Sequence, residues 1–159
     1  MTDLRDRPNT IPWPPILFAG AALIALGLQS LAPLPWPGGA GAAVLAMAGL
    51  FLGAAGLALD LATMLAFRRH RTTVLPHRGA VRLITDGPFR FSRNPIYVGN
   101  TLLVAGAGLV FGIAWLIPAA FLGAYATGKL AIAREERHLA LRFGKDWEDY
   151  AARTPRWLF

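Results

Sequence analysis

The sequence predicts an all-α integral membrane protein of about four transmembrane helices with a cytoplasmic C-terminal helix. Three observations carry this. The chain is 55% hydrophobic and 16% charged, against roughly a quarter charged in an average soluble domain. No charged residue stands between Arg7 and Asp60, and none between Arg93 and Lys129; each run exceeds the ~20 residues that a spanning helix needs. The 16 basic residues fall into three blocks, before, between and after these runs.

Residues 8–59 are too long for one helix. "PLPWPGG" (33–39) interrupts them, because three prolines and two glycines do not sit in a helix interior. A first span is predicted at about 15–32 and a second at about 40–67. The first is not expected to be a cleaved signal peptide, since acidic residues and prolines precede it and Pro33 follows "SLA". Residues 94–128 would extend about 52 Å as one helix, well beyond the ~30 Å hydrocarbon core. They are predicted to fold back near "VFGIA" (110–114), giving short spans at about 95–110 and 113–130. The whole chain, 1–159, reads as one domain.

Orientation follows from the basic residues. Arg5 and Arg7 precede the first span. Seven arginines, from Arg68 to Arg93, lie between the second and third, and seven basic residues, from Lys129 to Arg156, follow the fourth. Neither predicted outer turn carries one. The positive-inside rule places both termini and the segments 68–94 and 131–159 in the cytoplasm, with the bacterial inner membrane as the expected location. The net charge of +7 follows topology, so no nucleic-acid partner is expected. With no cysteine there is no disulfide framework or thiolate metal site.

Beyond the last span, Ile132, Leu139 and Phe143 recur at helical spacing among charged neighbours. This stripe is expected to rest on the membrane surface or the cytoplasmic loop, and "FGKD" to stop or bend the helix. Gly49-x-x-x-Gly53 reads as close helix packing rather than a nucleotide fingerprint, since no strand precedes it. His70, His77 and His138 have no metal-ligand spacing and are expected at the surface or against headgroups; no metal site is predicted.

The chemistry-bearing residues lie at the mouths of the spans. Arg90 and Arg93 stand between Pro88 and Pro95. Each offers a planar fork that fits a carboxylate or phosphate; the alternative is a headgroup anchor. Pro95 suits the first turn of a helix, which places Tyr97 at interface depth, where an aromatic belt is the plainer reading. Glu135 and Glu136 are about 100° apart on a helix, so one can face a pocket while the other pairs with arginine or solvent. Asp60 is an acid within a span, a functional candidate or a group that snorkels toward the loop arginines.

Together, "TTVLPHRGAVRLITDGPFRFSRNPIYVG" (72–99), an apolar hairpin and "REERHLALRFGKDWEDYAARTPRW" (134–157) resemble the isoprenylcysteine carboxyl methyltransferase family, itself related to the phospholipid N-methyltransferases. The resemblance spans residues 60–157. It implies a cytoplasmic S-adenosylmethionine pocket lined by Arg93, Asn94, Pro95, Tyr97, Glu135 and Glu136. Asn94 stands where many members carry histidine; it exchanges hydrogen bonds but does not titrate near neutral pH. The chemistry of the residues agrees: Arg93 or Arg90 can clamp the cofactor carboxylate, and a glutamate can hold the ribose or the ammonium. Alignment by Arg93 and Tyr97 would assist transfer, and Asp60 or a glutamate would deprotonate an amine acceptor. The expected partners are membrane lipids and a lipid-like or apolar methyl acceptor, of the isoprenylcysteine carboxylate type or the phospholipid amine type. The rival expectations are a non-catalytic membrane adaptor of the same fold and a membrane NADPH-dependent reductase.

Overall fold

The computed structural model describes residues 13–71 and 82–158. Arg5, Arg7, His77 and Arg78, and with them residues 72–81 of the family-like segment, lie outside the described residues. Every regular element among the described residues is helical, as the expected fold class requires. The elements are α1 (Trp13–Leu31), α2 (Gly39–Arg69), α3 (Pro95–Phe111), α4 (Leu116–Thr127), α5 (Ala133–Phe143) and α6 (Lys145–Arg153). A single 3₁₀ turn, Gly87–Arg90, precedes α3, and a π-helical segment, Gly128–Ile132, joins α4 to α5 without a break.

Three helices are long and apolar enough to cross a membrane: Trp13–Leu31, Gly39–Arg69 and the continuous Leu116–Phe143. The shorter Pro95–Phe111 is also apolar. The helices lie in the order α2, α3, α4, α1. Large apolar side chains cover their outer faces: Leu23, Met47 and Phe51 are each more than two-thirds exposed, a surface suited to lipid rather than water.

Local chemistry places the turns. Gly112 adopts φ 67°, the left-handed conformation that ends α3, and its N–H bonds to the Gly108 carbonyl, so the chain reverses inside the expected 110–114 stretch. Trp115 Nε1 donates to the Ala32 carbonyl at 2.8 Å, which ties this reversal to the end of α1. At the other end, α2 spans 31 residues, about 46 Å at 1.5 Å per residue. Its last turns therefore project beyond the hydrocarbon core, where Ala66 and Phe67 pack with Ile84, Phe89, Trp147 and Tyr150. Leu139 and Phe143 join this cluster, so the apolar stripe of α5 rests on the loop segment. Gly144, at φ 52° and ψ −124°, breaks the chain between α5 and α6, within the "FGKD" stretch expected to stop or bend the helix, and a second C-terminal helix follows.

The glycines of α2 let it approach α3 closely. A Cβ on Gly106 would lie 2.7 Å from the Gly49 carbonyl oxygen and 2.9 Å from the Gly53 nitrogen, and one on Gly56 would lie 2.7 Å from the Gly99 carbonyl oxygen. Backbone atoms cannot swing aside, so Gly106→Ala is expected to force the helices apart at a cost of about 1–3 kcal/mol. A lower unfolding temperature in detergent would show it. Gly53→Ala is the control, because its Cβ meets nothing within 4 Å; equal shifts in both variants would contradict the packing argument.

Candidate functional site

The site is built from two segments far apart in sequence. In the first, Pro88 initiates the 3₁₀ turn, and Phe89 is buried edge-on against Phe67, with ring centroids 5.5 Å apart. Tyr150 Oη donates to the Phe89 carbonyl at 2.8 Å, which pins the turn to α6. Burial pushes the Tyr150 phenol well above its ordinary pKa, with the nearby Arg93 charge drawing it part of the way back. The chain then enters α3 through Asn94, with Pro95 at the first helical position, where its missing N–H leaves no donor unsatisfied.

The second segment is α5, α6 and the extended stretch after them. The backbone N–H of Arg93 donates to the Pro155 carbonyl at 2.9 Å. The Arg156 carbonyl accepts from Ser92 Oγ at 3.2 Å and from Asn94 Nδ2 at 3.0 Å. The Asn94 side chain thus helps to hold the C-terminal stretch in place.

Two carboxylates meet this frame. Glu136 lies 3.1 Å from Arg93 Nη1 and also accepts from Arg156, whose Nε donates to Oε1 at 3.1 Å while its Nη2 donates to Oε2. Arg93 and Glu136 are largely buried, with side chains 16% and 14% exposed, whereas Arg156 is 45% exposed. The Glu136 hydrogen bond raises the Arg156 guanidinium pKa, against a smaller opposing effect of burial. Arg93 also sits 5.6 Å from the centroid of the Trp147 ring, and its Nε is buried with no hydrogen-bond partner. One residue earlier, Glu135 accepts from Tyr97 Oη at 3.0 and 3.3 Å. The 100° between adjacent helical residues therefore directs one carboxylate to α3 and the other to the two arginines.

The structure brings together Arg93, Asn94, Pro95, Tyr97, Glu135 and Glu136, and it separates two candidates from them. Arg90 is exposed at the end of the 3₁₀ turn and makes no ion pair with a described residue. Asp60 abuts α3 at Gly99, where a Cβ would collide with its carboxylate. Gly99 is two residues from Tyr97, about 200° around the helix, so Asp60 and the Tyr97–Glu135 pair touch opposite faces of α3. Asp60 Oδ1 is buried without a partner.

His138 departs from its expected surface position: it is 1% exposed, because the buried face of α5 is wider than its apolar stripe. His70 instead pairs with Asp86 at 2.8 Å. Sequence reasoning missed Trp147, Tyr150 and Arg156. Trp147 and Tyr150 carry a signal, aromatics three apart on an amphipathic helix; Arg156 was legible only as one of many basic residues. Among the described residues no group of three or more His, Cys, Asp or Glu is placed to hold a metal ion.

As chemistry, the cluster offers guanidinium forks for a carboxylate, carboxylates for an ammonium or hydroxyl, and a phenol hydrogen bond at the point where the chain enters the apolar helices. A family described as phospholipid methyltransferase matches residues 44–146, a stretch that contains the first segment and α5 but only the first two residues of α6, and not the final strap. Among curated proteins, the nickel-cobalt-cadmium resistance protein NccN of Alcaligenes xylosoxydans xylosoxydans is 35% identical over 81 residues, 49% of this chain and 36% of that protein. The chain thus matches about a third of that relative's length. No solved structure matches.

Proposed function

The chain belongs to the phospholipid methyltransferase family, and from that premise we propose that it is an integral membrane methyltransferase that takes S-adenosylmethionine from the cytoplasm and an apolar, lipid-like acceptor from the bilayer. The observation that carries this reading is the convergence of Arg93, Glu136, Tyr97 and Glu135 at the mouth of the apolar helices. The residues suit the cofactor: it brings a carboxylate, an ammonium and ribose hydroxyls, and Arg93 keeps a buried donor without a protein partner. When bound, the cofactor supplies an electrophilic methyl group.

The rest falls to the chain's own groups. Arg93, its guanidinium held against Trp147 and Glu136, is the carboxylate ligand. Glu136 and Glu135 are the partners for ammonium and ribose. Tyr97 and Glu135 position the acceptor at the end of α3, since alignment supplies much of the rate in a displacement of this kind. A carboxylate or thiolate acceptor needs no base. For an amine acceptor, Glu135 is better placed than Asp60 to receive the proton, because Asp60 lies across α3. Both termini and α5–α6 are assigned to the cytoplasm, on the distribution of the basic residues.

The test is transfer of labelled methyl from S-adenosylmethionine, by purified protein in detergent, to a phospholipid with a primary amine headgroup, a prenylated cysteine and small hydrophilic analogues of each. Label is expected in one of the lipid-like acceptors and not in its hydrophilic analogue. Good turnover of a hydrophilic acceptor would overturn the lipid-like assignment.

A further inference from the structure

After α6 the chain runs as a strap, Thr154–Leu158, across the front of the site. Its backbone is well fastened: the Pro155 and Arg156 carbonyls accept three hydrogen bonds from residues 92–94. Trp157 lies over Gly128, its ring 3.7 Å from the point a Cβ there would occupy. These bonds fix where the Arg156 side chain begins, and none of them involves its guanidinium.

The guanidinium is differently held. It shares Glu136 with Arg93 and is the outermost of the three, 45% exposed against 14% and 16% for its neighbours. Two guanidiniums share the one carboxylate of Glu136. The Arg156 guanidinium is 45% exposed, so of the two it is the one that can turn toward an incoming carboxylate, whereas Arg93, under Trp147, is more firmly set. A ligand head with both an ammonium and a carboxylate can replace the Arg156–Glu136 contact charge for charge.

We propose that Arg156, carried on the C-terminal strap, is a further binding residue of this site: it releases Glu136 to the ammonium of an amino-acid head group and joins Arg93 on the carboxylate of that head group. This rests on the S-adenosylmethionine reading above. The single carboxylate of Glu136, held between the two guanidiniums, occupies the kind of environment that the ligand carboxylate then finds at Arg156.

The experiment is equilibrium binding, by calorimetry in detergent, of S-adenosylmethionine and its decarboxylated form to the wild type, Arg156→Gln and Arg156→Lys. The wild type is expected to prefer the carboxylated ligand tenfold or more, the gain from a charge-assisted hydrogen bond. Arg156→Gln should cut that preference severalfold, leaving the part that Arg93 supplies, and Arg156→Lys should lose less of it, since an ammonium retains the charge but not the fork. The strap's backbone bonds do not depend on the side chain, so the variants should fold, and an unchanged unfolding temperature would verify this. An unchanged preference in Arg156→Gln, or an equal loss of affinity for both ligands, would overturn the proposal while leaving the cofactor reading intact. Absence of a preference in the wild type would do the same. No binding of either ligand to the wild type would overturn the cofactor reading, and this proposal with it.

Discussion

Replacing Glu136 with alanine is expected to destabilise the protein by about 2 kcal/mol and to weaken S-adenosylmethionine binding roughly ten- to more than a hundredfold. The structural part comes from Arg93. With Glu136 gone, a guanidinium only 16% exposed loses its carboxylate and keeps an already unpartnered Nε. Stranding one partner of a fully buried pair costs about 3–5 kcal/mol; partial exposure at this site, and the freedom of Arg156 to turn to water, place the cost lower. The binding part is the loss of a hydrogen bond to a charged group, about 1.5–3 kcal/mol. Glu136→Gln should recover much of the stability, because an acceptor oxygen remains, but little of the binding, because the charge does not. Thermal unfolding and calorimetry on the same preparations measure both effects. An alanine variant as stable and as tight-binding as the wild type would remove Glu136 from the site.

Trp147→Ala should be the most disruptive single change outside the membrane, at about 3–5 kcal/mol. Trp147 is 6% exposed, at the centre of the cluster formed by Ala66, Ile84, Phe89 and Tyr150. Its ring meets that of Tyr150 at 5.7 Å between centroids and supports the Arg93 guanidinium on its face. The cluster joins the end of α2, the 3₁₀ turn and α6, so a cavity there loosens the platform on which Arg93 stands. Trp147→Phe should cost much less stability, since a flat ring still fills most of the space, yet still lower cofactor affinity, since the indole face is the stronger cation–π partner. Unfolding temperatures in detergent order the three proteins. A Trp147→Ala variant with wild-type stability would show that the cluster does not organise the site.

The membrane-embedded part of this fold is largely legible in the sequence because its signals are local. Charge-free runs, the proline and glycine break at 33–39 and Gly112 each act within a few residues; Gly49-x-x-x-Gly53 reads as close helix packing, and the structure places Gly49 and Gly56 against α3 while a Cβ on Gly53 would meet nothing. The site is less legible because its decisive contacts are distant. Arg156 meets Glu136 across 20 residues, and its carbonyl meets Asn94 across 62; no spacing rule points to either. The separation of Asp60 from Tyr97 depends on which face of α3 packs on α2, and this is set by Gly99 rather than by the acid itself. Asn94, expected to line a pocket, also fastens the strap, a role that a hydrogen-bonding amide fills without titrating.

The most direct measurement is titration of the purified protein with S-adenosylmethionine, with its demethylated product and with NADPH. Saturable binding of the first two, lost in Arg93→Ala and absent for NADPH, is the predicted result. Saturation by NADPH without binding of S-adenosylmethionine, or binding that Arg93→Ala leaves unchanged, would contradict the assignment of Arg93 and its neighbours as a cofactor site.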